Sequence, residues 1–228
     1  MSSPQPLRLG TRGSALARWQ ADWVASQLQQ QGIEVSIILI STTGDTQTGS
    51  LTTGGSPGLF TKEIQAALLR DEIDVAVHSL KDLPTQSSEG LSLAAIPLRE
   101  SPWDVLISSQ SASLDQLAAG ACVGTGSPRR KAQLLHIRPD LHVTEVRGNV
   151  DTRLKKLADG QYDAIVLAEA GLRRLGLHDR ITEVLTPAQM LPAVGQGALG
   201  IEVRSQDQQR QDILANLNDP ATVAAVTA

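Results

Sequence analysis

Cys122-Val123-Gly124-Thr125-Gly126-Ser127-Pro128-Arg129-Arg130 joins a short apolar run to a helix through a glycine turn. Ser127 suits an N-cap and Pro128 a first helical turn, where its missing N–H costs nothing. Strand, turn and capped helix form the repeating unit of an α/β sheet. The same rhythm runs outward in both directions. Strands are predicted over Leu7–Thr11, Val35–Thr42, Ile73–His78, Leu91–Ile96, Val105–Ile107, Cys122–Thr125, His142–Val146, Ala164–Ala168 and Leu199–Val203, with helical patterns between them. Leu16, Trp19, Trp23, Val24 and Leu28 share one helical face, as do Val150, Leu154 and Leu157. Asn149 can cap the second of these helices, and Gly160 and Gly176 sit where helices should stop.

Two stretches break the rhythm, Leu98–Trp103 and Leu191–Gly197. They read as crossings between lobes, which places residues 98–195 in one lobe. Residues 1–97 and 196–228, the latter including a final strand and a helix near Gln208–Leu217, form the other, and two crossings imply a hinged cleft. The 228 residues are enough for two cores of that size. Hydrophobic residues at 41% and charged ones at 19% argue against disorder. Aromatic residues are only 2% and the formal charge is −4, so neither base stacking nor general attraction to nucleic acid or an anionic membrane is expected. Cys122 is the single cysteine, which excludes an internal disulfide or a Cys-rich zinc site, and in an apolar strand it reads as a small buried hydrophobe. His78, His136, His142 and His178 show no ligand spacing, so no metal is expected. Without a basic-then-apolar leader or a spanning apolar run, the expected location is the cytoplasm, or an organelle stroma such as the plastid's after loss of a targeting segment.

Three turns repeat one design: Gly10-Thr11-Arg12-Gly13-Ser14, Gly124-Thr125-Gly126-Ser127-Pro128-Arg129-Arg130 and Arg147-Gly148-Asn149-Val150-Asp151-Thr152-Arg153. Each puts arginine beside hydroxyl or amide groups where a strand gives way to a helix, the edge at which open α/β sheets bind ligands and helix N-termini favour anions. Arginine outnumbers lysine 15 to 5, which suits bidentate recognition of carboxylate or phosphate. A multi-anionic ligand is the consequence. The Gly-rich stretch from Gly49 to Lys62 lacks the spacing of a nucleotide phosphate loop. Gly195-Gln196-Gly197-Ala198-Leu199-Gly200 has the letters of a dinucleotide fingerprint but leads into a strand, so its glycines read as permissive backbone, with hydrogen bonding by Gln196 as the functional alternative. Asp74-Val75-Ala76-Val77-His78-Ser79-Leu80-Lys81-Asp82-Leu83-Pro84 is a buried-looking strand with a polar end. Asp82 there fits either acid–base or counter-charge chemistry, or an ordinary turn aspartate.

These motifs together resemble one family, porphobilinogen deaminase or hydroxymethylbilane synthase. The resemblance rests on Thr11-Arg12-Gly13-Ser14-Ala15-Leu16-Ala17, Gly58-Leu59-Phe60-Thr61-Lys62-Glu63, Ala76 to Pro84, Val123 to Arg130, Arg147 to Arg153 and Leu191-Pro192-Ala193-Val194-Gly195-Gln196-Gly197-Ala198. It implies an α/β fold of two periplasmic-binding-protein-like lobes with mixed sheets flanked by helices, and a third α/β domain that this chain lacks. The implied enzyme serves the synthesis of haem and chlorophyll. It joins four porphobilinogen molecules head to tail into hydroxymethylbilane, releasing ammonia, on a covalent dipyrromethane cofactor. By position Asp82 resembles the catalytic aspartate, which stabilises positive charge as the azafulvene forms. Arg12, Arg129, Arg130, Arg147, Arg153 and Arg174 match arginines that hold cofactor carboxylates, and Arg12, Arg147, Arg153 and Arg174 also match substrate contacts. Ser14, Ser79, Lys81, Thr125, Ser127 and Gln196 match smaller polar contacts to the cofactor, and Phe60 a ring beside the substrate. A monomer acting on a small molecule, with no nucleic-acid or membrane partner, is expected.

Two departures stand out. The family's cofactor cysteine lies in a Gly-Gly-Cys setting beyond a segment like Ala224-Ala225-Val226-Thr227-Ala228, and Cys122 belongs to a different motif, so these 228 residues alone are expected to give no turnover. Many relatives carry lysine where Pro57 precedes Gly58, which removes one cationic contact from the expected Gly49–Gly58 lid. The competing reading is a non-catalytic hinged module that binds a small polycarboxylate.

Overall fold

Large apolar residues alternate in Leu7–Thr11 (β1), so that Leu7 and Leu9 are buried in the sheet core while Arg8 stays half-buried. The computed structural model describes residues 5–42 and 61–227. The chain divides into two units, Met1–Arg99 with Ala198–Ala228, and Glu100–Gly197.

In the first unit β1 leads into Ala15–Gln30 (α1), then Val35–Leu39 (β2), Lys62–Leu69 (α2), Val75–Ser79 (β3) and Leu91–Ala95 (β4). β1 lies between β2 and β3 and is parallel to both. The inner face of α1 consists of Ala17, Gln20, Ala21, Val24, Ala25 and Leu28, whereas Trp19 is 36% exposed and Leu16 and Trp23 are half-buried. Of the predicted face, Val24 and Leu28 enter the core and Trp23 packs partly against it, whereas Trp19 is turned outward. Alanines bring the helix backbone closer than tryptophans allow, and close packing selects that face. β2 stops at Leu39, short of the predicted Thr42.

The second unit follows as Asp104–Ser108 (β5), Cys122–Gly124 (β6), Pro128–Ile137 (α3), His142–Thr144 (β7), Val150–Ala158 (α4), Ala164–Ala168 (β8), Glu169–Arg174 (α5) and Glu183–Val184 (β9). Its sheet order is β7-β6-β8-β5-β9, with β6 parallel to β7 and β8, and β5 antiparallel to β8. The expected caps form: the Arg130 amide donates to Ser127 Oγ at 3.4 Å, and the Thr152 amide to Asn149 Oδ1 at 3.0 Å. Gly160 and Gly176 follow α4 and α5 in left-handed conformations, with φ of 72° and 68°. Leu106 packs with Leu134, Val143, Leu185 and Met190 on one face of the sheet; Val105 and Ile107 pack with Leu154, Leu157 and Leu172 on the other. Cys122 is half-buried rather than enclosed, its Sγ 3.4 Å from Thr144 Oγ1 on the next strand.

The chain then returns to the first unit as Leu199–Arg204 (β10), antiparallel between β3 and β4, which completes the order β2-β1-β3-β10-β4. Gln208–Ala215 (α6) and Pro220–Thr227 (α7) follow. The units divide at Arg99 and Ala198 rather than at the predicted 97/98 and 195/196. The Arg99 amide donates to Thr222 Oγ1 at 3.1 Å and the Asp219 amide to the Ile96 carbonyl at 3.0 Å, tying that stretch to the first unit. Gln196 and Gly197 bond instead to Asp104 and Arg174 in the second. Among the described residues no helix is long and apolar enough to cross a membrane, and no cluster of His, Cys, Asp and Glu could hold a metal ion.

Candidate functional site

In the first unit β1 and β3 are parallel neighbours, pairing Leu9 with Val75 and Gly10 with Ala76, so their C-terminal ends lie side by side. Arg12 and Ser14 leave one end; Ser79, Lys81 and Asp82 leave the other. Ser14 caps α1 by accepting the Ala17 amide at 3.4 Å, and Thr11 Oγ1 donates to the Ala17 carbonyl at 3.1 Å. After Ser79 the chain tightens into a single 3-10 turn, Leu80–Asp82. Its first amide, of Leu80, donates to the Ala198 carbonyl at 3.0 Å, just before β10. Lys81 is exposed and Asp82 half-buried. Five of the predicted residues, Arg12, Ser14, Ser79, Lys81 and Asp82, therefore share one sheet edge. Phe60, Pro57 and the Gly49–Gly58 loop lie outside the described residues.

The second unit gathers its cations in the same way, at the C-terminal ends of β6, β7 and β8. Thr125 is buried and its Oγ1 accepts the Ser127 amide at 3.2 Å, which shapes the turn into α3. Asp104, at the start of β5 opposite Ala168, is the group around which the turn is organised. Its Oδ1 accepts Arg130 Nε at 3.0 Å, Arg130 Nη2 at 2.7 Å and Gln196 Nε2 at 2.9 Å, and its Oδ2 accepts Arg129 Nη2 at 2.7 Å. Burial pushes the Asp104 carboxyl up, but the charges of Arg130 and Arg129 outweigh it and hold the group below the usual carboxylate range. Arg130 also donates to the Val166 carbonyl at 3.1 Å, Gln196 to the Pro102 carbonyl at 2.6 Å, and Arg129 to the Leu191 carbonyl. Arg130 and Gln196 are thus buried parts of the framework, and Arg129 is only partly so.

Arg147, Arg153 and Arg174 are placed differently. Arg147 pairs with Glu145 at 2.7 Å. Arg153 donates from Nε to the Gly148 carbonyl at 2.8 Å, and burial, reinforced by the charge of Arg130, lowers its pKa against a smaller pull from Glu145. Arg174 is lowered to about 10, chiefly by burial, with Glu100 opposing; its Nη2 donates to the Gly197 carbonyl at 2.7 Å. A Cβ built on Gly126 would come 3.0 Å from the Val146 carbonyl oxygen and 3.8 Å from Arg153 Nη2, so glycine lets the two backbones approach closely beside that guanidinium.

Asp104 was missed by the sequence reading, and so were Glu169, Glu202 and Gln20. Glu202 could have been found: it is a charged residue between Ile201 and Val203 inside a strand. Glu169, 3% exposed, follows β8 directly and binds Arg173 at 2.6 Å and the Ser101 hydroxyl.

A family model described as "Porphobilinogen deaminase, dipyromethane cofactor binding domain" matches residues 7–212. The chain is 48% identical over 229 residues to a porphobilinogen deaminase of Geobacter metallireducens, covering 99% of this chain and 72% of that protein. It is 53% identical over 223 residues to the porphobilinogen deaminase of Desulforudis audaxviator, covering 96% and 72%. Among solved structures, an ABC transporter periplasmic substrate-binding protein from Coxiella burnetii superimposes with a TM-score of 0.58 at 18% identity, over 96% of this chain and 94% of that one. That likeness concerns the two-lobe fold alone.

Proposed function

The chain belongs to the porphobilinogen deaminase family, and from that membership we propose that its two units carry out the head-to-tail joining of four porphobilinogen molecules into hydroxymethylbilane with loss of ammonia. It is a transferase of tetrapyrrole biosynthesis, and the matched domain is the one that binds the dipyrromethane cofactor. The residues present fit such a group. A pyrrole bearing acetate and propionate asks for several cationic anchors, and Arg153 and Arg174 are cations whose burial opposes their charge. An arriving carboxylate relieves that opposition, which is how a desolvated arginine is kept ready for an anion. The observation that carries the reading is the gathering of Arg147, Arg153 and Arg174 beyond the C-terminal ends of neighbouring strands in the second unit.

When bound, dipyrromethane supplies the pyrrole carbon to which the first substrate is joined. Arg153, Arg174, Arg147 and the outer face of Arg129 hold carboxylates, with Thr125 and Ser127 shaping the turn between them. Arg12, Ser14, Ser79 and Lys81 give the first unit its own polar contacts. Asp82, half-buried at the end of β3, accepts pyrrole N–H groups. It also offsets the positive charge that develops on the substrate as ammonia leaves the aminomethyl carbon, and assists the proton transfers. Cys122 is placed beside Thr144 in a strand and takes no part. The protein is proposed to act as a cytoplasmic monomer.

The test is Asp82→Asn in a chain carrying the cofactor cysteine. Turnover should fall by about 10²–10⁴-fold while porphobilinogen still binds. Turnover that survives the change sinks the assignment of Asp82.

A further inference from the structure

The strand that leads to Asp82, β3, is held by buried polar groups on both faces of its sheet. Successive strand residues point to opposite faces. Val77 belongs to the core that includes Ala21 and Val24 of α1, and Ala76 to the core that includes Ile64 and Leu68 of α2. Ser79 follows Val77, and Gln20 of α1, 3% exposed, donates from Nε2 to Ser79 Oγ at 2.9 Å. His78 follows Ala76, and its Nε2 lies 3.1 Å from Glu202 Oε2 on β10. The two groups are in close contact, within ion-pair distance but off the line of a hydrogen bond. Glu202 is anchored in turn by Gln65 of α2, whose Nε2 donates to its two oxygens at 3.1 and 3.0 Å, and Gln65 Oε1 accepts the Ser88 hydroxyl at 3.2 Å.

His78 is 4% exposed, Glu202 5% and Gln65 7%. Apolar residues of similar volume would stabilise those positions as well or better, because burying a carboxylate costs more than its partners usually return. The polar groups therefore call for a reason beyond stability, and the next residues supply one. The Leu80 amide bonds to the Ala198 carbonyl at 3.0 Å and the Leu83 amide to the Leu80 carbonyl at 3.1 Å, so the turn bearing Asp82 inherits its place from the end of β3 and its neighbour β10.

We propose that Gln20 and Glu202 are positioning residues: acting through Ser79 and His78 from opposite faces of the sheet, they fix the backbone that carries Asp82. The consequence for catalysis rests on the reading of Asp82 given above; the positioning itself does not. Amide hydrogen exchange on the 228-residue chain tests it with Glu202→Gln and Gln20→Met. In either variant the Leu80 and Leu83 amides should exchange about tenfold faster or more, while the Asp74 amide, bonded to the Arg8 carbonyl at the other end of β3, changes by less than about twofold. Unchanged rates at Leu80 and Leu83, or one common acceleration of every amide, overturn the proposal. If Glu202→Gln does not fold, the same criteria applied to Gln20→Met decide. These rates need no turnover, so a failed assignment of Asp82 and a failed positioning role give different results.

Discussion

Arg130 grips a single oxygen of Asp104 twice, through Nε at 3.0 Å and Nη2 at 2.7 Å, at a point where Asp104 is wholly buried. Arg129 holds the other oxygen, so two guanidinium groups share one carboxylate and one positive charge is left over. The surplus sits at the partly exposed Arg129, toward the strand ends where Arg153 is also found.

Removing the buried anion alone leaves Arg130 desolvated and unpaired. Asp104→Ala should destabilise the second unit by about 3–5 kcal/mol in denaturant unfolding. Asp104→Leu combined with Arg130→Met should recover most of that loss. A single variant within about 1 kcal/mol of the parent would show that the pair does not bear on stability.

Asp74 sets an acid limit on the first unit. Burial pushes its carboxyl up, but hydrogen bonds from the Arg8 side chain and amide, with the charge of Arg210, outweigh it and hold the pKa at about 2 against an ordinary 3.8. The native state therefore takes up this proton less readily than the unfolded chain. Its contribution to stability is complete above about pH 4 and is lost as the pH falls through about 2. The Arg8 side chain is 37% exposed, so screening limits the contribution to about 1 kcal/mol. Asp74→Asn should flatten the denaturation midpoint across that interval; an unchanged slope would refute the assignment.

Gly197 should tolerate no side chain. Its φ is 86°, and a Cβ there would overlap the Glu100 carbonyl oxygen and come 2.7 Å from that of Ser101. These are backbone atoms that cannot turn aside. Gly197→Ala is expected to cost more than about 2 kcal/mol, whereas Gly160→Ala, with φ of 72° and open space around it, should cost about 1 kcal/mol. Equal melting temperatures for the two variants would contradict the difference.

Arg153→Gln should weaken porphobilinogen binding to the 228-residue chain by about 10–100-fold in titration calorimetry, the usual worth of a charge-assisted hydrogen bond. Arg70→Gln, which breaks an exposed pair with Glu72, serves as the control and should leave binding unchanged. A loss no greater in Arg153→Gln than in Arg70→Gln would remove Arg153 from the site.

The strands and caps were legible because their signals are local. Ser127-Pro128, Asn149 and the glycines at 160 and 176 act within one helical turn, and each behaves in the fold as its type predicts. β9 escaped notice because two residues carry no periodicity; Val184 is placed by pairing with Val105. The arginine turns were visible, but the partition within them was not. Whether Arg130 faces a ligand or the interior depends on Asp104, which β5 delivers from 26 positions away in sequence. The same distance effect hid Glu202, which comes beside His78 only because β10 inserts next to β3.

That insertion bears on how the protein is made. β10 occupies an interior place in the first sheet, yet it is encoded about a hundred residues after β3 and β4, the strands it separates. During synthesis the edge of β3 has no neighbour on that side until residues 199–204 emerge from the ribosome, while residues 100–197 form an uninterrupted unit that can fold first. The last core to close is therefore the one that begins at the N-terminus. A nascent chain stalled before Leu199 should expose an unpaired edge of β3, the strand that leads to Asp82, a natural target for chaperones and a template for mispairing.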